Sequence, residues 1–188
     1  MINVAVIGYG HLGKWHCQKV EANSSACLLA IVESNDSNAE LAKTNHPNAR
    51  VVSDIKEIID DVSAVVIVTP TSTHYDLVKF SLEEKKHVFC EKPLCSSYQE
   101  VKTLSKFLNN DKILQVGHSE RCHQAWELIE NDIAAITGSV IVNISRYAPF
   151  KGRATDVDVV QDLMIHDIDL LLYLFKKQPE DFVVEELL

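Results

Sequence analysis

Asn3-Val-Ala-Val-Ile-Gly8-Tyr9-Gly10-His11-Leu12-Gly13 stands at the head of a 188-residue chain, an apolar β-branched run passing directly into three glycines spaced G-x-G-x-x-G. Such a run, bounded by glycine, reads as a buried strand over Asn3–Gly8, and His11–Ala22 carries helix-like spacing. The glycines therefore sit in a strand-to-helix turn. There they permit a tight turn, let a pyrophosphate approach backbone N–H groups at the helix N-terminus, and allow close helix-to-strand packing. Glu33 lies 20 residues beyond Gly13 at the end of a second apolar run, Leu28–Glu33. A carboxylate at that point accepts hydrogen bonds from the hydroxyls of an adenine ribose. It would repel the 2′-phosphate of NADP, and Ser34, Asn35 and Asp36 offer no arginine to receive one, so the pattern favours NAD. The competing reading is an ordinary glycine turn beside a solvated Glu33, which the strand-helix-strand context makes the weaker of the two.

Further along, short Val- and Ile-rich runs recur at Val51–Ser53, Ala64–Thr69, His87–Cys90 and Ile113–Val116. They alternate with helix-like stretches at Ser37–Asn45, Ile55–Ile59, Thr73–Lys86 and Ser97–Asn109. This alternation predicts an α/β fold, a Rossmann-type doubly wound parallel sheet over residues 1–117. After Gly117 the pattern changes. A helix is expected near Arg121–Ile136, a longer strand over Gly138–Tyr147, a polar loop at Ala148–Asp156, a helix over Val159–Lys176 and a strand beginning at Phe182–Glu185. Residues 118–188 thus read as a partial α+β substrate or oligomerisation domain. Its uncovered apolar surface would favour self-association, hence a homo-oligomer.

A net charge of −9 with pI near 5.3 argues against nucleic acid or an anionic membrane surface as partner. No apolar run approaches bilayer-spanning length, and no basic region precedes the first apolar stretch. Cys17, Cys27, Cys90, Cys95 and Cys122 are odd in number, widely spread and without a C-x-x-C pair, the usage of isolated thiols in a reducing, cytoplasmic compartment. No metal role is assigned to them.

Two constellations carry chemistry. Glu91-Lys92-Pro93 follows the fifth strand, and carboxyl ends of strands in an open α/β sheet face the ligand crevice. Beside an oxidised nicotinamide and shielded from water, Lys92 is suited to proton transfer; the bland alternative is a Glu91–Lys92 salt bridge. In Asp162-Leu-Met-Ile-His166-Asp-Ile-Asp169-Leu-Leu-Leu-Tyr173, α-helical geometry puts Asp162, His166, Asp169 and Tyr173 on one polar stripe of a mostly apolar helix. Buried polar groups need partners or ligands. His166 is a candidate acid/base, and Asp162 can fix its tautomer or bind substrate. Alternatively Asp162 merely caps the helix and the stripe faces solvent. A metal site is disfavoured, because a single histidine sits in the cluster. His16, His46 and His87 are read as surface or packing residues.

Taken in order, GYGHLG, the strand-ending Glu33, Thr69-Pro70-Thr71 with His74, Glu91-Lys92-Pro93, and Asp162 with His166 resemble the glucose-fructose oxidoreductase / inositol dehydrogenase (Gfo/Idh/MocA) family along nearly the whole chain. The resemblance implies cofactor contacts from Gly8, Gly10, His11, Leu12, Gly13, Glu33, Thr69, Pro70, Thr71, His74, Glu91 and Lys92. It implies a cis Lys92–Pro93 bond, and a catalytic set of Lys92, Asp162 and His166 converging on a sugar or polyol hydroxyl. The stretch Arg153–Asp169 looks most like the subgroup of bacterial UDP-N-acetylglucosamine 3-dehydrogenases, which prepare lipid A precursors. Arg121 and Arg153, with Arg146 and Lys151, are the candidate cations for a diphosphate; each alone reads equally as surface charge. Glu120-Arg121-Cys122-His123-Gln124 departs from the family's usual Arg-Phe-Asn-Pro type turn, and the family's larger antiparallel sheet has no counterpart in this sequence.

Two functions remain open at this level. One is an NAD-dependent enzyme that oxidises a secondary hydroxyl of a sugar or sugar nucleotide, with either Lys92 or His166 as base. The other is a catalytically silent, truncated NAD-binding module or sensor.

Overall fold

In a computed structural model of the protein, residues 1–108, 111–147, 157–181 and 183 are described, without the side chains of residues 130 and 134. They divide into two units, one holding Met1–Gly117 with Val157, the other the described residues from His118 onward except Val157.

The first unit is a six-stranded sheet in the order β3-β2-β1-β4-β5-β6, every neighbouring pair parallel. Its strands are β1 (Ile2–Ile7), β2 (Ala26–Val32), β3 (Arg50–Val52), β4 (Ala64–Ile67), β5 (His87–Glu91) and β6 (Leu114–Gly117). Helices α1 (His11–Glu21), α2 (Asp36–Asn45), α3 (His74–Glu83) and α4 (Tyr98–Leu104) occupy the crossovers. Strand order reverses between β1 and β4, which creates a crevice at the carboxyl edge. Register aligns the strand ends there: Ile7 pairs with Val32 and Ile67, and Ile67 with Cys90.

Why both faces are covered follows from the period of two in a strand. Ala5 and Ile7 of β1 enter one core with Val32, Val65, Ile67, Val78, Val88 and Leu104, whereas Val6 between them enters a second with Tyr9, Cys17, Leu28, Ile31 and Ala42. A sheet apolar on both faces needs helices on both, and these strands read as continuous apolar runs for that reason.

Several predicted elements take a different form. Ile55–Ile59 forms two short 3₁₀ turns, Ile55–Glu57 and Ile59–Asp61, the first closed by an Asp54/Glu57 capping box. Local capping is sufficient for one turn but not for a helix. The Ser97–Asn109 stretch gives α4 and then a 3₁₀ turn at Ser105–Phe107, with Asn109 outside the described residues.

In the second unit, the helix expected at Arg121–Ile136 becomes a 3₁₀ turn, Ser119–Cys122, followed by α5 (Gln124–Ala134). Gly138–Tyr147 is not a strand: a strand exists only through a hydrogen-bonded neighbour, and among the described residues this segment pairs with none. Val159–Lys176 begins with a π-helical turn, Val160–Met164, before α6 (Ile165–Phe175), which stops at Lys176 in the left-handed conformation. Val140, Val142, Val160, Met164, Ile168 and Phe175 border an apolar groove of about 780 Å³ within this unit. The loop expected at Ala148–Asp156 and the strand at Phe182–Glu185 lie outside the described residues, apart from Val183. No described helix is long and apolar enough to cross a membrane.

Candidate functional site at the carboxyl edge of the sheet

Gly8 continues β1 with φ +95°, and its N–H donates to the Val32 carbonyl (2.8 Å). A Cβ at Gly8 would stand 2.8 Å from the Val68 carbonyl oxygen, and one at Gly13 only 2.0 Å from the Gly8 carbonyl oxygen. Both close approaches need glycine. At Gly10 a Cβ would meet nothing within 4 Å. What a side chain there would fill is open space above the turn.

Helix α1 has no side-chain cap: Gly10 is its N-cap and its first turn contains no acidic residue. By contrast α2 is capped by Asn35, whose Oδ1 accepts from Asn38 N–H (3.0 Å), and α4 by Ser97 with Glu100. Backbone donors at the start of α1 are thus left for an anion, and His11 and Leu12 are exposed beside them. Tyr9, between the glycines, is buried; its hydroxyl accepts from Asn45 Nδ2 (3.1 Å) and its ring meets His46 edge-on. His46 in turn donates from Nδ1 to Glu21 (2.8 Å), which confirms it as a packing residue.

Glu33 follows β2. Its Oε2 accepts Tyr9 N–H (2.7 Å) and its Oε1 accepts Asn35 N–H (2.8 Å). Two bonds fix the carboxylate beside the glycine turn while each oxygen keeps capacity for another donor. The uncapped helix, the open space over Gly10 and this oriented carboxylate fit the diphosphate and ribose of a dinucleotide.

At the end of β4, Thr69 is half-buried and Pro70 exposed, while Thr71 is buried and opens a 3₁₀ turn. Thr73 Oγ1 lies 2.7 Å from Thr69 Oγ1. His74, only 1% exposed, sits behind this wall rather than on it: Nδ1 faces the Pro93 carbonyl (2.8 Å) and Nε2 the Thr69 carbonyl (2.9 Å). Both His74 nitrogens are thus directed at main-chain carbonyls of the protein.

Lys92 stands just beyond β5, half-buried, and Lys92–Pro93 is cis. Glu91 Oε1 accepts from His16 Nε2 (2.8 Å). Glu91 Oε2 lies 3.3 Å from the Lys92 backbone N. His16, read from sequence as a surface or packing residue, therefore ties α1 to the Lys92 turn. Its only sequence signal is its place three residues after Gly13.

In the second unit, Asp162 lies in the π turn and His166 one residue into α6. A π turn bonds i to i+5, so the angular step between Asp162 and His166 differs from that of the α-helix expected from the sequence. Lower on the stripe, Asp169 is buried and its carboxylate receives Arg121 in a two-pronged pair, Nε to Oδ2 at 2.7 Å and Nη2 to Oδ1. Arg121 also lies over the Tyr173 ring (5.3 Å). The fork expected to face a diphosphate is thus committed to Asp169, the partner a buried carboxylate requires. Arg146 is likewise taken by Asp167 (Nη2 to Oδ1, 2.6 Å). Beside it, the Asp167 carboxyl is held below the usual carboxylate range. Arg153 and Lys151 lie outside the described residues. Among the described residues no group of three or more His, Cys, Asp or Glu is placed to hold a metal ion.

A family model described as "Oxidoreductase family, NAD-binding Rossmann fold" matches residues 2–118. The chain is 35% identical over 182 residues to UDP-N-acetylglucosamine 3-dehydrogenase of Acidithiobacillus ferrooxidans, covering 96% of this chain and 56% of that protein. It is 30% identical to inositol 2-dehydrogenase of Rhizobium meliloti, covering 95% and 56%. The solved structure of the Acidithiobacillus enzyme superposes with a TM-score of 0.80 at 33% identity, over 96% of this chain and 58% of that one. The chain thus spans about half the length of the curated relatives it matches. With the glycine turn, the strand-ending carboxylate and the strand order in agreement with these matches, the chain belongs to the Gfo/Idh/MocA oxidoreductase family, with its NAD-binding Rossmann fold.

Proposed function

We propose that the chain carries the cofactor-binding unit and part of the substrate unit of an NAD-dependent dehydrogenase acting on a secondary hydroxyl of a sugar or sugar nucleotide, with C3 of UDP-N-acetylglucosamine the leading candidate. The observation that carries the cofactor half is Glu33, anchored by Tyr9 and Asn35 N–H groups beside an uncapped helix. A fixed carboxylate accepts ribose hydroxyls and repels a 2′-phosphate. The substrate half is supported by the likeness to a dehydrogenase of a nucleotide sugar and a dehydrogenase of inositol, a polyol.

In this reading Gly8, Gly10, His11, Leu12 and Gly13 bind the diphosphate, Glu33 the ribose, and Thr69, Pro70 and Thr71 line the crevice toward Glu91 and Lys92. When bound, NAD supplies a hydride acceptor. Lys92 and His166 handle the hydroxyl proton as acid and base, and Asp162 orients His166 or the substrate. Self-association belongs to the same reading, supported by the apolar groove of the second unit.

Fluorescence titration with NADH, with NADPH as comparator, tests the cofactor half. Saturable binding selective for NADH is expected, and equal or absent binding overturns it. Lys92→Ala tests the chemistry: turnover of UDP-N-acetylglucosamine is abolished with NADH affinity kept, and full activity in the variant removes Lys92 from the mechanism. Selective NADH binding with no turnover of any sugar nucleotide or polyol by the unaltered chain would favour the silent binding module.

A further inference from the structure

We propose that His74 is a positioning residue for Lys92, fixing the backbone on one side of it through the Pro93 carbonyl while His16 fixes the other side through Glu91. The inference rests on the reading of Lys92 as a proton-transfer group.

Lys92's four-carbon stem is flexible, so where its ammonium stands depends on how firmly its backbone is fixed. After Lys92, the Pro93 carbonyl faces His74 Nδ1 at 2.8 Å. The same ring reaches the Thr69 carbonyl with Nε2 at 2.9 Å, so one imidazole bridges the turns that leave β4 and β5. These acceptors are main-chain carbonyls, so the ring fixes backbone rather than another mobile side chain. A ring nitrogen bonds a carbonyl where it carries the N–H, and which of the two does so depends on the tautomer. Before Lys92, Glu91 is a second fixed point. Its Oε1 takes His16 Nε2 at 2.8 Å and its Oε2 lies 3.3 Å from the Lys92 N. A Cβ on Gly117, at the end of β6, would come within 2.8 Å of Glu91 Oε2, so the carboxylate occupies the space that a side chain at 117 would need. At 1% exposure His74 cannot itself touch substrate or cofactor. Its influence passes through the turn.

The test uses the 188-residue chain and reads Lys92 directly, by reductive methylation across a pH series with mass-spectrometric quantification of each lysine. His74→Leu removes both contacts with the carbonyls. His74→Asn returns a donor near the Nδ1 position, toward Pro93, and His74→Gln one near Nε2, toward Thr69. Expected is a displacement of the Lys92 labelling profile by roughly half a pH unit or more in H74L. The profile returns toward the original in H74N and stays displaced in H74Q, while exposed Lys43 and Lys56 label as before. A Lys92 profile in H74L that superimposes on the unaltered chain overturns the proposal, as does equal restoration by H74N and H74Q, which would mark a role in packing alone. Should H74L fail to fold, His16→Ala, at a half-buried site, reads the opposite side of the turn: a displaced Lys92 profile supports the clamp and an unchanged one refutes it. Protection of Lys92 by NADH in the unaltered chain reports separately on the dehydrogenase reading. Loss of that protection counts against Lys92's place beside the cofactor, not against the clamp.

Discussion

Glu33 Oε2 accepts the Tyr9 N–H at 2.7 Å, so the carboxylate at the end of β2 is bonded to the backbone between the first two glycines of the turn after β1. The group proposed to read the ribose and the turn proposed to bind the diphosphate are thus one rigid piece. Glu33→Ala should lose both the ribose acceptor and this anchor, weakening NADH by roughly 10- to 100-fold, the usual worth of hydrogen bonds to a charged group. The NADH/NADPH ratio measured by fluorescence titration should fall with it. Unchanged selectivity in the variant would remove Glu33 from cofactor reading.

The glycines separate packing from binding. Gly13→Ala puts a methyl 2.0 Å from the Gly8 carbonyl oxygen, which should cost about 1–3 kcal/mol or more in unfolding free energy. Gly10→Ala meets nothing in the protein, so its stability in urea should match the unaltered chain while NADH affinity drops roughly tenfold. Equal stability of the two variants would contradict the close helix-to-strand contact.

The Asp167–Arg146 pair should be visible in acid. Arg146 holds the folded-state carboxyl below its ordinary range, so the pair's contribution is complete above that range and is lost as pH falls through it. Melting temperature should therefore drop less between neutral and acidic pH in Asp167→Asn than in the unaltered chain. Parallel melting curves would place the pair outside the stability of this unit.

Thiol chemistry should separate inside from outside. Burial pushes Cys17 up to about 12, aided by Glu21, and Cys95 to about 11, aided by Glu100, and raises Cys90 as well. Cys122 is exposed. In the folded protein at about pH 8, a disulfide reagent should find Cys122 promptly and Cys17, Cys90 and Cys95 only after unfolding. Rapid loss of all the thiols without denaturant would mean that the sheet is not closed as described.

What the sequence determined by itself is what short-range physics controls. An apolar β-branched run bounded by Gly8 can only be buried, helical spacing follows it at once, and alternation of the two gives parallel strands joined by crossovers. The twenty residues from Gly13 to Glu33 are one helix and one strand, so that carboxylate's place at the carboxyl edge was legible too. The expected strand at Gly138–Tyr147 shows the limit: its alternation is real, but a strand exists only where a neighbour accepts its hydrogen bonds, and no local pattern states whether one does.

Only the tertiary structure decided which polar groups meet. His16 and Glu91 are 75 residues apart, Arg121 and Asp169 48, and Tyr9 and Glu33 24. The last of these pairs follows from sheet register, which aligns the ends of β1 and β2; the first follows from the side of α1 that meets β5, where the His16 ring also lies against Phe89, and the second from the packing of α6 against the turn carrying Arg121. A carboxylate leaves water only when a specific donor replaces the lost hydration. That donor is chosen by the assembled fold, which turned Arg121 from a candidate substrate cation into the partner of Asp169 and placed His74 and His16 on either side of Lys92.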